Sequence, residues 1–393
     1  MSRSEQARAS RPISVCHIAS GDRWAGAEVQ VAMLLRKLAR DPRLQLCAIL
    51  LNEGRLADEV RACSIPLCVI PESRFSFPWI FIRAARFLRP HSAQVLHAHR
   101  YKENLLAFLL ARRLGIPVTV RSQHGLPEPF TGWRHAKQRL LQILDHAVAR
   151  HATDAVISVS QEMGRRLARI IPAERLFVIH NAIAADEVHS TLSPQEAKER
   201  LGFPPDSWLL GAVGRLDRIK RLDLLVAAAP AIRAAFPGAQ FALVGEGEEE
   251  PRLRRMVQAQ RLQDSFHFLG QREDIYDVLP AIDILILCSD HEGLPTVLLE
   301  ALQLGVPVVG RRVGGVPEVV QDGVTGLLID SGDSQLLAEA CLRLLRDPGL
   351  RARCVREGPR TVAQEFSADK NASRMVRLYR TLLGEEPAGG KEA

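Results

Sequence analysis

Short apolar segments alternate with helical segments along almost the whole chain, and this alternation restricts the fold more than any other feature. In the first half the apolar runs are residues 13–19, 45–51, 66–70, 93–97, 117–121 and 155–159; in the second half they are residues 209–213, 240–244, 265–269, 284–287, 306–309 and 326–329. Short apolar strands separated by helical periodicity are typical of βαβ units. The sequence therefore predicts doubly wound parallel sheets covered by helices.

The length of 393 residues is about twice that of a single comfortable core, so we expect two domains. Residues 184–206 sustain neither period and collect proline and acidic residues, which predicts a linker there. We expect domains at residues 1–185 and 186–368. A final helix, 369–383, has an apolar face at Met375, Leu378, Tyr379 and Leu382, which we expect to pack back on the N-terminal domain. Residues 1–10 and the tail at 384–393 are expected to be disordered.

Charge is divided unevenly between the two halves. Residues 1–185 hold 27 Lys and Arg against 14 Asp and Glu, a net +13, whereas residues 186–393 hold 25 against 31, a net −6. The first half is thus expected to meet an anionic surface or substrate. Nucleic acid, an anionic membrane and a phosphorylated acceptor are the alternatives. Sparse aromatic residues and the lack of a recognition module disfavour nucleic acid.

Cysteine usage and hydropathy predict a cytoplasmic protein. The seven cysteines include no CxxC pair, and the N-terminus has no leader pattern, so we expect reduced thiols. The run that comes closest to a membrane span, residues 105–110, is cut off by Arg112 and Arg113 and is far shorter than the roughly 18–20 residues that a span needs.

A strand-to-helix loop in the second half, SDHEGLPT, combines a helix start with acidic side chains. Pro295 suits the first helical turn, and the backbone N–H groups of Leu294 and Thr296 are expected to bind a phosphate group with the helix dipole. Glu292 and Glu300 can accept hydrogen bonds from a sugar diol. The alternative is an ordinary helix start whose carboxylates favour the dipole.

Two further loops of the second half carry charge. In GAVGRLDRIKR, Arg215 can bind a phosphate with two nitrogens and Lys220 adds a point charge; the alternative is a solvated basic turn. In LVGEGEEE, Gly245 opens a glycine turn, but the third glycine of a dinucleotide motif is missing and the glutamates would repel a pyrophosphate. This excludes NAD and FAD, and leaves a nucleoside rim or a capped helix.

The strand ends of the first half carry small residues and histidines. Gly26 lies in the first strand-to-helix turn, where a backbone can approach a ligand. His97 and His99 point the same way; they could form a metal pair, but a structural or substrate-lining role is favoured because no third ligand accompanies them. His124 ends the next strand, and the alternative to a site role is a packed or solvent-facing side chain.

Two basic amphipathic segments lie in the first half. One runs from Trp133 to Leu144, and the other joins the aromatic residues between Phe75 and Phe81 to nearby arginines. Both suit a helix packed on the core with a solvated basic face, and the alternative is contact with a membrane interface.

The ordered set of motifs resembles the retaining glycosyltransferases of family 4, which have the GT-B fold. The matching segments cover nearly the whole chain: AGAE, HAH, SQHG and VIHNAI in the first half, and VGRLDRIKR, LVGEGEEEPRL, FLG, EGLPTVLLEAL, GVPVV, GGVPEVV and DGVTGLLI in the second. The resemblance implies two Rossmann-like domains facing a central cleft, with the acceptor bound by the first domain and a nucleotide-sugar donor by the second.

The resemblance also implies roles for individual residues. Arg215 and Lys220 neutralise the donor diphosphate, Glu292 contacts the donor sugar, and His124 lines the sugar pocket; these four form the expected catalytic set. Glu300 binds the ribose hydroxyls. The full expected donor-binding set is Gly26, Arg215, Lys220, Gly245, Gly270, Glu292, Gly293, Leu294, Thr296 and Glu300.

The chain departs from the family pattern at three positions: Ala25 replaces the first glycine of the turn, His180 replaces a proline, and Arg221 replaces the glycine after Lys220. None removes a charged group. The chain also has no DxD motif, so cations and a helix dipole must stabilise the leaving diphosphate, and we expect no metal ion and no cofactor.

The expected partners are a nucleotide-diphosphate sugar, UDP- or GDP-linked, and a glycan or lipid-linked acceptor in polysaccharide or glycolipid synthesis. The +13 half is expected to meet the inner face of the cytoplasmic membrane, with no nucleic acid involved. Two alternatives stay open: a GT-B sugar-nucleotide epimerase, and a non-catalytic basic adaptor for membrane or nucleic acid.

Overall fold

The structure, a computed structural model, describes residues 12–21, 24–125 and 136–386. The chain forms two compact units: unit 1 runs to Asn181 and resumes at Ala368, and unit 2 comprises Ala182–Ser367. The sequence predicts the first boundary after residue 185, four residues later. The predicted pair of parallel-sheet α/β domains is confirmed. Of the termini expected to be disordered, 1–10 and 384–393, residues 1–10 and 387–393 lie outside the described residues.

The described residues of unit 1 form a seven-stranded parallel sheet in the order β3-β2-β1-β4-β5-β6-β7. The strands are β1 (Ile13–Ala19), β2 (Leu44–Leu50), β3 (Leu67–Val69), β4 (Val95–Ala98), β5 (Val118–Gln123), β6 (Ala155–Ser158) and β7 (Leu176–Val178). The first six match the predicted runs within two residues. The sequence misses β7 because this short edge strand is partly exposed and lacks a long apolar run.

Unit 2, all of whose residues are described, has a six-stranded parallel sheet in the order β10-β9-β8-β11-β12-β13. The strands are β8 (Leu209–Val213), β9 (Gln240–Val244), β10 (Phe266–Gly270), β11 (Ile284–Leu287), β12 (Val308–Arg311) and β13 (Gly326–Ile329). All six match predicted runs, although β12 begins and ends two residues later than expected. The sheet is buried because it is covered by helices, as parallel sheets require.

Helices connect the strands and cover both faces of each sheet. In the described residues they are α1 (Gly26–Leu38), α2 (Arg55–Ala62), α3 (Phe77–Leu88), α4 (Tyr101–Leu114), α5 (Ala136–His151), α6 (Gln161–Leu167), α7 (Pro194–Arg200), α8 (Asp223–Ala235), α9 (Glu250–Ala259), α10 (Ile275–Val278), α11 (Thr296–Gln303), α12 (Val316–Val319), α13 (Ser334–Arg346), α14 (Pro348–Glu365) and α15 (Ala368–Leu382).

The two faces of the unit 1 sheet have different neighbours. Successive side chains of β1 alternate between the faces. Cys16 and Ile18 pack with residues of α3 and α4, whereas Val15 and Ala19 pack with residues of α1 and α15. Alternation therefore places His17 on the face that α1 and α15 cover.

The final helix belongs to unit 1 although it lies at the other end of the chain. Met375 and Tyr379 of α15 join the core formed by β1 and α1, and Tyr379 is 0% exposed. Lys37 of α1 also forms a 3.0 Å ion pair with Asp369. The buried face of α15 follows the predicted apolar positions and brings a phenolic hydroxyl next to the sheet.

The stretch predicted to be an irregular linker contains a helix, which corrects that expectation. In α7, the side chain of Ser193 accepts a hydrogen bond from the backbone of Glu196, whose carboxylate accepts one from the backbone of Ser193. This capping box starts a helix of seven residues. The segment was misjudged because a two-turn helix is too short to establish an apolar period.

Candidate active site

The centre of the unit 2 sheet is a topological switch point. From β8 the chain proceeds to β9 and β10 on one side, then returns to β11 on the other side of β8. Ligands of open α/β sheets bind at such a point, beyond the carboxyl ends of the strands. The loops after β8 and β11, which carry the predicted Arg215, Lys220 and Glu292, are the two loops that flank it.

These two loops are joined by an ion pair between two predicted site residues. Lys220 Nζ donates to Glu292 Oε1 at 2.7 Å, and the Ser289 hydroxyl donates to the same oxygen at 2.5 Å. The side chain of Glu292 is 9% exposed and that of Lys220 is 23% exposed. The structure thus brings together a cation and a carboxylate that are 72 residues apart in the chain.

A shallow pocket lies between the loops, and its lining includes Val213, Gly214, Arg215, Lys220 and Ser289. Arg215 Nη2 forms a 3.0 Å ion pair with Asp217, and half of the Arg215 side chain is exposed. Two cations and a set of backbone groups therefore line one concave surface, which suits an anionic ligand.

Arginines that sequence analysis did not assign to the site hold the loop after β11 in place. Arg311 Nη1 donates to the backbone oxygens of Cys288 and Ser289 at 3.1 and 3.2 Å and also to the Asp290 carboxylate. Arg221 Nη1 donates to Asp290 at 3.2 Å. Asp290 and Arg311 were missed because a partner 21 residues away leaves no local pattern.

Arg221 also explains one departure from the family pattern. Its φ of 48° is left-handed, a conformation that favours glycine. The guanidinium compensates with ion pairs to Asp223 and Asp290.

Helix α11 positions the second predicted carboxylate. Pro295 is the residue just before the helix rather than within its first turn, a small correction to the sequence prediction. Leu294 and Thr296 are buried, and Glu300 is 8% exposed. The Tyr276 hydroxyl donates to Glu300 Oε1 at 3.4 Å, and burial raises the pKa of Glu300 to about 7.

Two glycines allow the loops to pack closely. A Cβ on Gly245, whose φ is 128°, would lie 2.0 Å from the carbonyl oxygen of Gly214. A Cβ on Gly314, whose φ is 54°, would lie 1.9 Å from the carbonyl oxygen of Glu292. The predicted Gly270 joins this arrangement because its carbonyl accepts from the Gly245 N–H at 2.7 Å. These close contacts fix the backbone of the loops that carry Glu292 and Arg215.

In unit 1 the predicted residue Gly26 is exposed and is the first residue of α1. Ala25, which precedes it, makes no side-chain cap. The rest of the predicted turn includes residues 22–23, which are outside the described residues.

The histidines of unit 1 form a hydrogen-bonded row across neighbouring strands. His17 of β1 pairs in register with His97 of β4, and His99 and His124 lie just beyond β4 and β5. His124 Nε2 is 3.2 Å from His99 Nδ1, and His99 Nε2 is 3.0 Å from His17 Nδ1. Burial lowers the pKa of His17 to about 3 and that of His124 to about 4.

The row continues through α15 to β5. The Tyr379 hydroxyl is 3.5 Å from His17 Nε2 and 2.6 Å from His97 Nδ1. His97 Nε2 is 2.8 Å from the Ser122 hydroxyl. We name this connected set the imidazole chain: His124, His99, His17, Tyr379, His97 and Ser122.

Sequence analysis identified His97, His99 and His124 but missed His17 and Tyr379. The available signal for His17 was a polar residue inside the apolar strand ISVCHIA. The ligating atoms of His17, His97 and His99 all lie within 4.8 Å of one another, so these three rings are the described group that could hold a metal ion.

Two family models together span most of the chain. The model for glycosyl transferases group 1 matches residues 193–361, and the model for glycosyltransferase family 4 matches residues 24–187. The chain belongs to the family 4 (group 1) glycosyltransferases. It is a hexosyltransferase, and the glycosyltransferase activity that the resemblance in the sequence motifs implied is confirmed.

This glycosyltransferase is similar to several characterised proteins. It is 26% identical to N-acetyl-alpha-D-glucosaminyl L-malate synthase of Bacillus anthracis, over 78% of this chain and 80% of the relative. It is 29% identical to D-inositol 3-phosphate glycosyltransferase of Saccharomonospora viridis, over 80% and 76%. Its fold matches that of Anabaena Alr3699/HepE in complex with UDP-glucose, with a TM-score of 0.81, 20% identity, and coverage of 94% and 100%.

The helices of this glycosyltransferase do not include a membrane span: none in the described part of the chain is both long and apolar enough to cross a bilayer.

Proposed function

We propose that the enzyme transfers a hexose from a UDP- or GDP-linked sugar to a glycan or lipid-linked acceptor, with retention of the anomeric configuration and without a metal ion. The observation that carries this proposal is the Lys220–Glu292 ion pair at the switch point of unit 2. It joins a phosphate-binding cation to a sugar-binding carboxylate at the place where open α/β sheets bind nucleotides.

The cations would stabilise the leaving diphosphate. Breaking the anomeric C–O bond leaves negative charge on the nucleotide, and preorganised donors are worth most where charge develops. Arg215 and Lys220 line one pocket, and the buried start of α11 adds the positive end of a helix dipole. This pairing of side-chain cations with a dipole supports a reaction that needs no divalent ion.

The carboxylates would orient the donor. Glu292 is fixed by Ser289 and Lys220, so it is ready to accept hydrogen bonds from sugar hydroxyls when a diphosphate draws Lys220 away. Glu300 is buried and keeps one hydrogen bond from Tyr276, which leaves its second oxygen to accept from ribose hydroxyls. Gly293 and Leu294 would contribute their backbone N–H groups.

The stereochemical course rests on the family resemblance. Retention without a protein nucleophile would proceed by attack of the acceptor on the face that the diphosphate leaves, with the leaving phosphate taking the proton of the acceptor hydroxyl. The Anabaena relative, whose structure holds UDP-glucose, supports UDP as the nucleotide to test first.

Unit 1 would bring the enzyme to a lipid-linked acceptor at an anionic membrane surface. On α3, Phe77, Trp79 and Ile82 are exposed, Trp79 by 59%. On α5, Leu140, Ile143 and Leu144 are exposed, which differs from the expectation of a helix packed on the core. Trp133 and Arg134, with which the sequence began this segment, lie outside the described residues. Exposed apolar side chains within a half of net charge +13 suit a membrane interface.

The test begins with nucleotide sugars and ends with transfer. UDP- and GDP-sugars are screened for protection against thermal unfolding, and the best donor is incubated with lipid-linked acceptors in the presence and absence of EDTA. We expect a product with retained configuration in both conditions. Glu292→Gln should abolish transfer. Arg312→Ala, which removes an exposed ion pair of the same unit, should leave transfer unchanged. An epimerised donor formed without acceptor, or transfer that EDTA abolishes, would contradict the proposal.

A further inference from the structure

The hydrogen bonds of the imidazole chain must all point the same way, from donor to acceptor. A neutral imidazole carries one proton, so it donates at one nitrogen and accepts at the other, and fixing one ring fixes the ring bonded to it. The rings of His17, His97 and His99 are buried, and burial lowers the pKa of each well below 7, so all three are neutral. The direction therefore depends on what lies at the two ends.

The two contacts of Tyr379 depend on each other. Its phenolic oxygen is 2.6 Å from His97 Nδ1 and 3.5 Å from His17 Nε2. The hydroxyl has one proton. If it accepts from His17, it can donate to His97, and the reverse assignment exchanges both roles.

The His124 end indicates which of these two directions is present. Within the described residues, His124 Nδ1 is buried and has no hydrogen-bond partner. A buried N–H without an acceptor is rarer in proteins than an acceptor without a donor. The proton of His124 therefore lies on Nε2, which donates to His99 Nδ1.

We propose that the imidazole chain holds His17, His97, His99 and His124 in the Nε2–H tautomer, and that Tyr379 thereby keeps His124 Nδ1 as a hydrogen-bond acceptor for a ligand hydroxyl or ammonium group. His17, His97, His99 and Tyr379 are positioning residues, since they act through His124. That the hydroxyl belongs to a sugar rests on the proposed function. A bare acceptor favours neutral and amino sugars and repels the carboxylate of a uronic acid.

The hydrogen bonds argue against the metal alternative for the same rings. His97 and His99 stack with centroids 4.4 Å apart and planes 25° apart, so their in-plane lone pairs run nearly side by side rather than toward one point. Each nitrogen of His17, His97 and His99 also has a hydrogen-bond partner within the chain.

The test is side-chain ¹⁵N NMR on the full-length protein labelled at histidine, with the metal content of the same sample measured. In the wild type we expect all four rings to show a protonated Nε2 and a bare Nδ1 at pH 7. Tyr379→Phe keeps the ring that packs in the core but removes the hydroxyl, so His17 loses its acceptor. We then expect Nδ1–H tautomers to become populated at His17, His99 and His124.

A second variant and one control separate tautomer setting from general disturbance. Ser122→Ala removes the acceptor of the His97 Nε2–H, so the Nδ1–H tautomer of His97 should become populated and the change should pass through Tyr379 to His17, His99 and His124. His91 has its Nδ1 2.8 Å from the Phe87 carbonyl, outside the chain, and should keep an Nδ1–H tautomer in every sample.

A protonated Nδ1 on wild-type His124, unchanged tautomers in Tyr379→Phe, or one bound metal ion per chain would each overturn the proposal. The spectra need no substrate, so an enzyme without transfer activity would refute the proposed function while leaving this assignment to be decided by NMR alone.

Discussion

Replacing Lys220 with alanine tests the proposed donor site most directly. The Lys220 ammonium is 2.7 Å from Glu292 and lines the pocket that also contains Arg215. The substitution removes one of two cations at the pocket. It leaves the Glu292 carboxylate, which is 9% exposed, with the Ser289 hydroxyl as its remaining hydrogen-bond donor among the described residues. Stability and catalysis should both fall, by amounts that can be measured separately.

The loss of stability follows from the partial burial of the pair. An exposed ion pair contributes about 0–1 kcal/mol, whereas removing one partner of a buried pair costs about 3–5 kcal/mol. Lys220 is 23% exposed and Glu292 is 9% exposed, so we expect an intermediate loss of about 2 kcal/mol. For a unit of 186 residues, Ala182–Ser367, this lowers Tm by about 4–8 °C.

The loss of catalysis should be larger. Removing one preorganised donor from a developing negative charge typically lowers kcat by about 100- to 1,000-fold. We expect kcat/KM for the best donor to fall by roughly that factor, while far-UV circular dichroism stays unchanged. Lys220→Arg should restore part of the activity because it restores the charge but not the geometry.

Steady-state transfer and thermal unfolding of both Lys220 variants are compared with Arg312→Ala. That control removes an arginine 2.6 Å from exposed Asp330 and should change neither quantity appreciably. A folded Lys220→Ala enzyme with kcat/KM within about fivefold of the wild type would refute the reasoning, since a diphosphate-binding cation cannot be dispensable.

Three further predictions concern other parts of the structure. Burial raises the pKa of Glu300 from 4.5 to about 7, so between these pH values the folded state keeps a proton that the unfolded state loses. The free energy of unfolding should therefore fall by up to about 3 kcal/mol as the pH rises from 4.5 through 7. Urea titrations at pH 5–8 should show a smaller fall for Glu300→Gln than for the wild type. Gly314→Ala should lower Tm by several degrees, because its Cβ would meet a carbonyl oxygen at 1.9 Å, whereas Gly238→Ala, with nothing within 4 Å, should not. Trp79→Glu should weaken co-sedimentation with anionic liposomes at low salt, and Leu336→Glu, an exposed position in unit 2, should leave it unchanged; equal binding by both variants would remove the membrane proposal.

The strands could be predicted from the sequence because a parallel sheet buried on both faces requires continuous apolar runs. Leu209–Val213 and Ile284–Leu287 are such runs. The prediction of an irregular linker was wrong around Pro194–Arg200, because the helix there depends on a capping box rather than on an apolar period. The strand Leu176–Val178 was not predicted, because an edge strand needs fewer apolar side chains.

Site residues could be predicted where charged side chains follow an apolar strand, as at Arg215 and Glu292. It was not predictable where the decisive contact joins distant segments. Tyr379 and His17 are 362 positions apart. Tyr379 looks like an ordinary core residue of an amphipathic helix, and the polar His17 inside an apolar strand gives no sign of its distant partner. Only the packing of the final helix against the sheet brings the phenol to the imidazole.

Each of the two sheets has a topological switch point, but the side chains found there differ: neutral imidazole rings in unit 1 and charged groups in unit 2. In unit 1 the chain reverses direction across the sheet between β1 and β4, and His17 and His97 face each other in register at that reversal. In unit 2 the reversal lies between β8 and β11, and Lys220 and Glu292 come from the loops after those strands. Full charges in partly exposed loops suit a diphosphate, because a mobile anion can displace the internal carboxylate from the lysine. Neutral rings buried within the sheet suit a hydroxyl, because a fixed acceptor can select it without the cost of burying a charge. The neutral rings of the imidazole chain contribute nothing to the net +13 of the first half.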